Sequence, residues 1–362
     1  MAALSSAEHA GLAAICRRWL PGEEIRLTPV AGAGFSGSPV FIVESPRGQH
    51  VLKAFPPQTL PPRVRWVHGL MRHLAAAGIE TVAPPLATAS GESFAADGNG
   101  RLWELLPFLN GSPAADPTED QLAAAVAALA RLHAAAASYP ACLPDRGPSA
   151  GIVRRITQAR RLLEEPWSRL PSPRTAATSL AAEVASRARA VAATLETAPS
   201  RRVLAALASA TPRSVPRQAV LRDIWSDHLL FAGPAAPLVT GILDFHAAER
   251  DTPATDFARL LGSWLPPATL PGTYSRLLAN AAMPAGDASG LTDSLVGFLA
   301  ASGIVFGLDN WFRWIIGDGR RFPGSTAVLA RIDRLVSLLP GALESTAETL
   351  ENPGLTVKNC SL

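Results

Sequence analysis

The segment Leu221-Arg222-Asp223-Ile224-Trp225-Ser226-Asp227-His228-Leu229-Leu230-Phe231, followed by Gly241-Ile242-Leu243-Asp244-Phe245-His246, places two carboxylates at the ends of short apolar runs. Asp223 closes the run Ala219-Val220-Leu221, and Asp244 closes Gly241-Ile242-Leu243. The alternation of apolar runs and polar breaks reads as strand–loop–strand over Ala219–Phe245. A carboxylate has no use inside a core unless it is paired. The plain alternative for each Asp is a cap or a turn residue.

Working outward, the N-terminal third reads as strands around one helix. A first helix is expected at about Ala7–Leu20. Runs at Ile25–Val30, Pro39–Glu44 and His50–Phe55 follow, joined by short turns, which predicts a three-stranded antiparallel meander. In residues 61–77 the apolar positions Val64, Val67, Leu70, Met71 and Leu74 have helical spacing, with Pro61 and Pro62 at the start and Gly78 at the end. Strands at Leu86–Ala89 and Leu102–Leu106 complete a β-β-β-α-β-β order.

Between the first two strands of the meander lies Gly32-Ala33-Gly34-Phe35-Ser36-Gly37, a GxGxxG pattern. In a dinucleotide-binding fold this pattern must run from a strand into a helix. Here it runs into Pro39-Val40-Phe41-Ile42-Val43, which is strand by composition, so a Rossmann-type dehydrogenase is disfavoured. A glycine-rich hairpin can instead fold over phosphates, because missing side chains let backbone N–H groups approach the oxygens. The bland alternative is an ordinary hairpin.

Of the 33 basic residues only Lys53 and Lys358 are lysines. A Lys in a chain that otherwise uses Arg is a candidate for a compact point charge. Lys53 lies on the third strand, after the glycine hairpin, where kinases place a phosphate-contacting Lys. Phosphoryl transfer further needs a carboxylate to accept the hydroxyl proton and oxygen ligands for a metal ion. Asp223 and Asp244 stand in the order that such chemistry requires, with Phe245 after the second.

Together these residues resemble the aminoglycoside phosphotransferase/choline kinase-like family, the small-molecule branch of the protein-kinase-like fold. The similarity runs from about Leu27 to Leu339. The family's motif HGDxHxxN matches at Asp223, and its metal Asp opens a strand end at Asp244. Asp256, in Thr255-Asp256-Phe257-Ala258-Arg259, matches the family's later structural Asp. The departures are Leu221 and Arg222 for His-Gly, Trp225 for the second His, His228 for the metal-binding Asn, and His246 after Asp-Phe. Helix 61–77 has no acidic residue to pair Lys53, and the choice between Glu80 and Glu104 as a partner stays open.

The resemblance implies an α+β, protein-kinase-like, two-lobed fold, with a small antiparallel sheet lobe and a larger helical lobe. It implies Asp223 as catalytic base. Gly32, Gly34, Phe35, Ser36, Gly37, Lys53, Glu104 and Leu106 would be nucleotide-binding residues, with hinge backbone holding the adenine. Asp244 and His228 would hold the metal. The implied cosubstrate is ATP with Mg²⁺. Imidazole at His228 is a softer donor than an amide oxygen and opens the possibility of Mn²⁺. The implied reaction moves the γ-phosphoryl group to a small-molecule hydroxyl. The alternative is a catalytically silent, nucleotide-binding kinase-like protein that acts through partners.

The expected division is residues 1–107 for the first lobe, 108–344 for the helical lobe and 345–362 for a loose tail. The Pro/Gly/Asn-rich stretch Pro107–Pro117 reads as the hinge. Helices are expected at about 118–138, 149–165 and 177–208, and again from Pro253 to Leu339. His133 is read as a satisfied helix residue, Trp311, Phe312 and Trp314 as core, and the basic face of helix 61–77 as solvated. A net charge of +3 over 362 residues gives no argument for a nucleic-acid partner. Three scattered cysteines, Cys16, Cys142 and Cys360, suggest neither disulfides nor zinc and fit a reducing, cytoplasmic setting. The uncharged apolar stretch Ser294–Leu308 is too short to span a bilayer, so no membrane partner is expected.

Overall fold

The structure, a computed structural model, describes residues 6–30, 38–171, 179–270, 272–280, 293–322, 324–351 and 356–357. It is an α+β protein of two lobes. Helix α1 (Ser6–Cys16) precedes strands β1 (Arg26–Pro29), β2 (Val40–Ser45) and β3 (Gly48–Ala54). Helix α2 (Pro61–Ala76), β4 (Ala95–Ala96) and β5 (Leu102–Pro107) follow. The sheet is antiparallel throughout, in the order β1-β2-β3-β5-β4. Gly48, at φ 109°, makes the tight β2–β3 turn that a side chain would strain. Trp19, Leu27, Phe41, Val43, Leu52 and Trp103 form the sheet's own core against α1.

The fifth strand differs from expectation. Residues 86–89 form no strand, although Leu86 N–H donates to Leu105 O at 2.9 Å. The edge is completed instead by Ala95–Ala96, which pairs with Trp103 and Leu102.

The larger lobe begins with α3 (Glu119–Ala136), whose start is fixed by a reciprocal cap between Thr118 and Gln121. After it come β6 (Asp145–Pro148), α4 (Ala150–Glu164), α5 (Ser179–Glu196), α6 (Ala198–Ser209), β7 (Thr211–Pro212) and β8 (Ser214–Val220). Strands β9 (Leu229–Phe231), β10 (Val239–Ile242) and β11 (Glu249–Asp251) carry the chain around the site. Helices α7 (Ala254–Trp264), α8 (Thr273–Asn280), α9 (Asp293–Phe312) and α10 (Ser325–Glu351), with β12 (Thr356–Val357), complete it. One continuous core joins α3 to α10 and includes Trp311 and Phe312.

The helix expected over 177–208 is two helices. Thr197 is an N-cap that accepts from Ser200 N–H, and Pro199 sits in the new first turn, so the chain restarts there. The tail expected from residue 345 is also corrected. Helix α10 continues to Glu351, with Leu350 buried, and Thr356–Val357 pairs with β7.

The helical stretch Asp293–Gly317 is longer than its uncharged run, and by length and composition could cross a membrane. Its most apolar part is 83% buried against the rest of the protein. Asp309, within it, is fully buried and meets Arg161, Arg313 and Trp167, as a paired core charge does.

Candidate active site

The loop after β8 is built from its backbone outward. Leu221 N–H donates to Asp256 Oδ2 at 2.7 Å, and Arg222 N–H to Oδ1 at 2.6 Å. His133 Nε2 meets the same carboxylate at 2.9 Å. Asp256 lies in the first turn of α7 and has no solvent exposure. A buried carboxylate with three partners is satisfied, and it fixes the direction in which the chain leaves β8. His133 is therefore a partner of Asp256, in keeping with its reading as a satisfied residue.

Arg222 takes the left-handed backbone conformation, at φ 66°. The turn projects Asp223, whose side chain is 48% exposed. Trp225 Nε1–H donates to Asp223 Oδ1 at 2.9 Å, and Arg259 lies 3.7 Å from the same oxygen. Trp225, in the place of the motif's second His, thus orients the Asp223 carboxylate while leaving it open.

His228 turns its Nδ1 to the carbonyl oxygen of Asp223, 2.9 Å away. A carbonyl only accepts, so Nδ1 carries the proton and Nε2 keeps its lone pair. That tautomer, fixed by a backbone carbonyl, is the arrangement metal-ligating histidines use. Leu243 N–H donates to His228 O at 2.8 Å, which couples this loop to the approach to Asp244.

Asp244 is also left-handed, at φ 61°. Its Oδ1 lies 2.8 Å from Lys53 Nζ and accepts from His246 N–H at 3.3 Å. Burial raises its pKa, but the Lys53 ammonium, with the His246 and His228 rings close by, outweighs this and holds the carboxyl far below its ordinary range. Lys53, whose partner the sequence left open, is therefore paired by Asp244 itself. Among the described residues no cluster of three or more His, Cys, Asp or Glu forms a metal cage. Asp244 and His228 Nε2 offer two donors, a set that suits a metal otherwise bound by phosphate oxygens and water.

Two residues placed at the nucleotide by the resemblance sit differently. Glu104 faces the same side of the sheet as Lys53, its cross-strand partner. Its carboxylate is engaged elsewhere: Oε2 with His68 Nε2 at 2.8 Å and Oε1 with His246 Nε2 at 2.7 Å. At 2% exposure it is not available to a ligand. Burial would raise its pKa, yet the two imidazoles lower it to about 2. The backbone of Leu106 is turned toward β3. Phe55 N–H bonds Leu102 O, Phe108 N–H bonds Gln49 O, and the two-residue period of the strand gives Leu106 the same direction. Gly32, Gly34, Phe35, Ser36 and Gly37 lie outside the described residues.

No sequence motif marks His68 and His246 for this role. His68 falls at i+4 from Val64 within the apolar stripe of α2 and is fully buried, so the basic face of that helix is not wholly solvated. Arg63 on the same helix donates to the carbonyls of His246 and Ala248. His246 stacks on Phe55 with ring centroids 4.0 Å apart. The small lobe thus grips the segment after Asp244 through Lys53, Glu104, Arg63 and Phe55.

The model of the phosphotransferase enzyme family matches residues 27–288. The chain belongs to that family. It is 29% identical over 227 residues to a homoserine kinase of Methylobacterium nodulans, covering 62% of this chain and 60% of that relative's length. In fold it is similar to a spectinomycin phosphotransferase solved with ADP and spectinomycin, at TM-score 0.61 and 11% identity, over 90% of this chain and 95% of the other. An amicoumacin kinase solved with AMP-PNP and Ca²⁺ gives TM-score 0.54 at 16% identity, over 95% and 94%. The protein-kinase-like architecture expected from the motifs is thereby shown.

Proposed function

We propose that this phosphotransferase-family protein moves the γ-phosphoryl group of ATP to a hydroxyl of a small molecule. The observation that carries the reading is the 2.8 Å pair of Lys53 and Asp244, beside a loop that presents Asp223 to solvent. The lobe boundary falls after residue 107, and ATP lies between the lobes, with its phosphates at Lys53. The two described cysteines are buried free thiols, which suits a reducing, cytoplasmic setting.

Asp223 accepts the proton of the acceptor hydroxyl as its oxygen attacks the γ-phosphorus. The bond from that phosphorus to the bridging oxygen breaks, and ADP leaves with the electron pair. Lys53 holds phosphate oxygens by charge. Asp244 and His228 would hold Mg²⁺ or Mn²⁺, which would supply charge neutralisation at the phosphates. Asp256 keeps the loop in register, so that the base does not need to be positioned at the moment of reaction. Homoserine, the acceptor named for the relatives, is one candidate alcohol. The test is ATP-dependent phosphorylation across a panel of hydroxyl compounds with each metal. ADP formation that depends on the acceptor and is lost in Asp223→Asn supports the reading; its absence across the panel, with ATP shown to bind, favours the silent binder.

A further inference from the structure

Beside Asp223 the protein is crowded with guanidinium groups. An open cavity of about 380 Å³ is lined by Arg63, Arg154, Arg222 and Arg259, against the carboxylates of Asp223 and Glu249. A second cleft shares Arg154, Arg222 and Arg259 and adds Arg331. Arg222 is taken up by Glu249, and Arg259 by Asp223. The side chains of Arg154 and Arg331 have no ion pair or hydrogen bond with any described residue. Arg331 lies over the face of Trp225, 4.0 Å from the ring centroid, and Arg259 is 4.5 Å from it. Burial and neighbouring guanidiniums hold Arg331 down at about 10, as expected of cations short of countercharge.

Taking the phosphotransferase reading as its basis, we propose that the acceptor is an alcohol with an anionic group at its other end, a carboxylate or a phosphate, bound by Arg154 and Arg331. A guanidinium fork matches either group with two parallel N–H bonds. Trp225 sets the spacing. Its Nε1–H touches the base and its face carries Arg331, so hydroxyl and anion are separated by about the width of an indole. A short-chain hydroxy acid or its phosphate counterpart spans that distance. Polycationic acceptors would meet like charge here, at a cost in affinity. The departure at Trp225 then belongs to acceptor recognition, while the Arg222 guanidinium is engaged by Glu249.

The test is calorimetric titration of the full chain, with ADP and Mg²⁺ present, using 4-hydroxybutanoate, glycerol 1-phosphate and choline as probes. One of the two anions should bind at least about tenfold tighter than choline, and which one does tells carboxylate from phosphate. Raised salt should weaken that binding. Arg154→Gln and Arg331→Gln should each weaken it about tenfold, and Arg331→Lys should recover only part, since it keeps the charge and loses the fork. The melting shift produced by ADP verifies that each variant is folded. Choline binding as tightly as both anions, or anion binding unchanged in the Arg154→Gln/Arg331→Gln double variant, overturns the proposal alone. Absence of any ADP shift in the unaltered protein overturns the phosphotransferase reading as well.

Discussion

Lys53 Nζ and Asp244 Oδ1, 191 positions apart in the chain, stand 2.8 Å from each other. One comes from the last residues of β3, the other from the residue pair that follows β10. Lys53 is the first of the charges that hold the Asp244 carboxylate ionised against its burial. Both partners are largely enclosed, at 12% and 28% exposure, so the pair is screened less than a surface ion pair.

Lys53→Ala should therefore act twice. The melting shift given by ATP with Mg²⁺ should shrink, with affinity falling about tenfold through the lost phosphate contact. The Asp244 carboxyl should also titrate at higher pH than in the unaltered protein, because its main compensating charge is gone. Carbon-detected NMR titration of Asp244 reads the second effect independently of nucleotide. An unmoved Asp244 would show that the pair does not control its ionisation.

The two strand-end carboxylates should fail differently. Asp223→Asn keeps its size and its acceptance from Trp225 but loses the base. Turnover should drop about 10²- to 10⁴-fold with nucleotide affinity little changed. Asp244→Asn should instead weaken metal-dependent nucleotide binding. Equal and mild losses in both variants would remove the roles assigned here.

Glu104 gives a pH dependence whose sign follows from its depressed pKa. The folded carboxyl titrates at about 2 against an ordinary 4.5. Its contribution is present above pH 4.5 and is lost as pH falls toward 2. The full difference is on the order of 3 kcal/mol. Denaturant unfolding of Glu104→Gln should show a lower stability at neutral pH and a flatter decline between pH 4.5 and 3 than the unaltered protein. Parallel curves would mean that the two imidazoles do not hold the carboxylate.

His228 offers Nε2 to a metal while Nδ1–H is tied to Asp223 O. Activity is expected to be higher with Mn²⁺ than with Mg²⁺. His228→Asn should shift that preference toward Mg²⁺ without abolishing turnover. An unchanged metal preference would leave His228 as a packing residue of the loop, with Asp244 holding the metal alone.

The parts of the site legible in the sequence are those where residue type and strand position coincide. Asp223, Asp244, Lys53 and Asp256 are polar groups at the ends or on the faces of apolar runs, and the fold brings Lys53 to Asp244 and ties Asp256 to the chain just before Asp223. The His68–Glu104–His246 cluster was not legible, because its members lie 36 and 142 residues apart on three elements. Only the place of His68 in the stripe of α2 was a local signal. The clamp of Arg259 and Arg331 on Trp225 is likewise a product of tertiary packing between α7, α10 and the loop. Helix boundaries were read less well where a local cap overrode periodicity, as at Thr197, and the short edge strand β4 carries no pattern at all.

The left-handed backbone at Arg222 has a further consequence. Glycine would occupy φ 66° without steric cost, whereas a residue with a Cβ bears roughly 1–2 kcal/mol there, more than the roughly 0.5–1 kcal/mol of chain entropy that glycine forfeits. The Arg222 N–H that binds Asp256 would survive the exchange. Arg222→Gly should accordingly raise the melting temperature while losing a guanidinium beside Asp223. At this one position robustness and the charge balance beside Asp223 are opposed, so a hardened variant selected on heat tolerance alone would drift toward a sturdier protein in which Glu249 has lost its guanidinium.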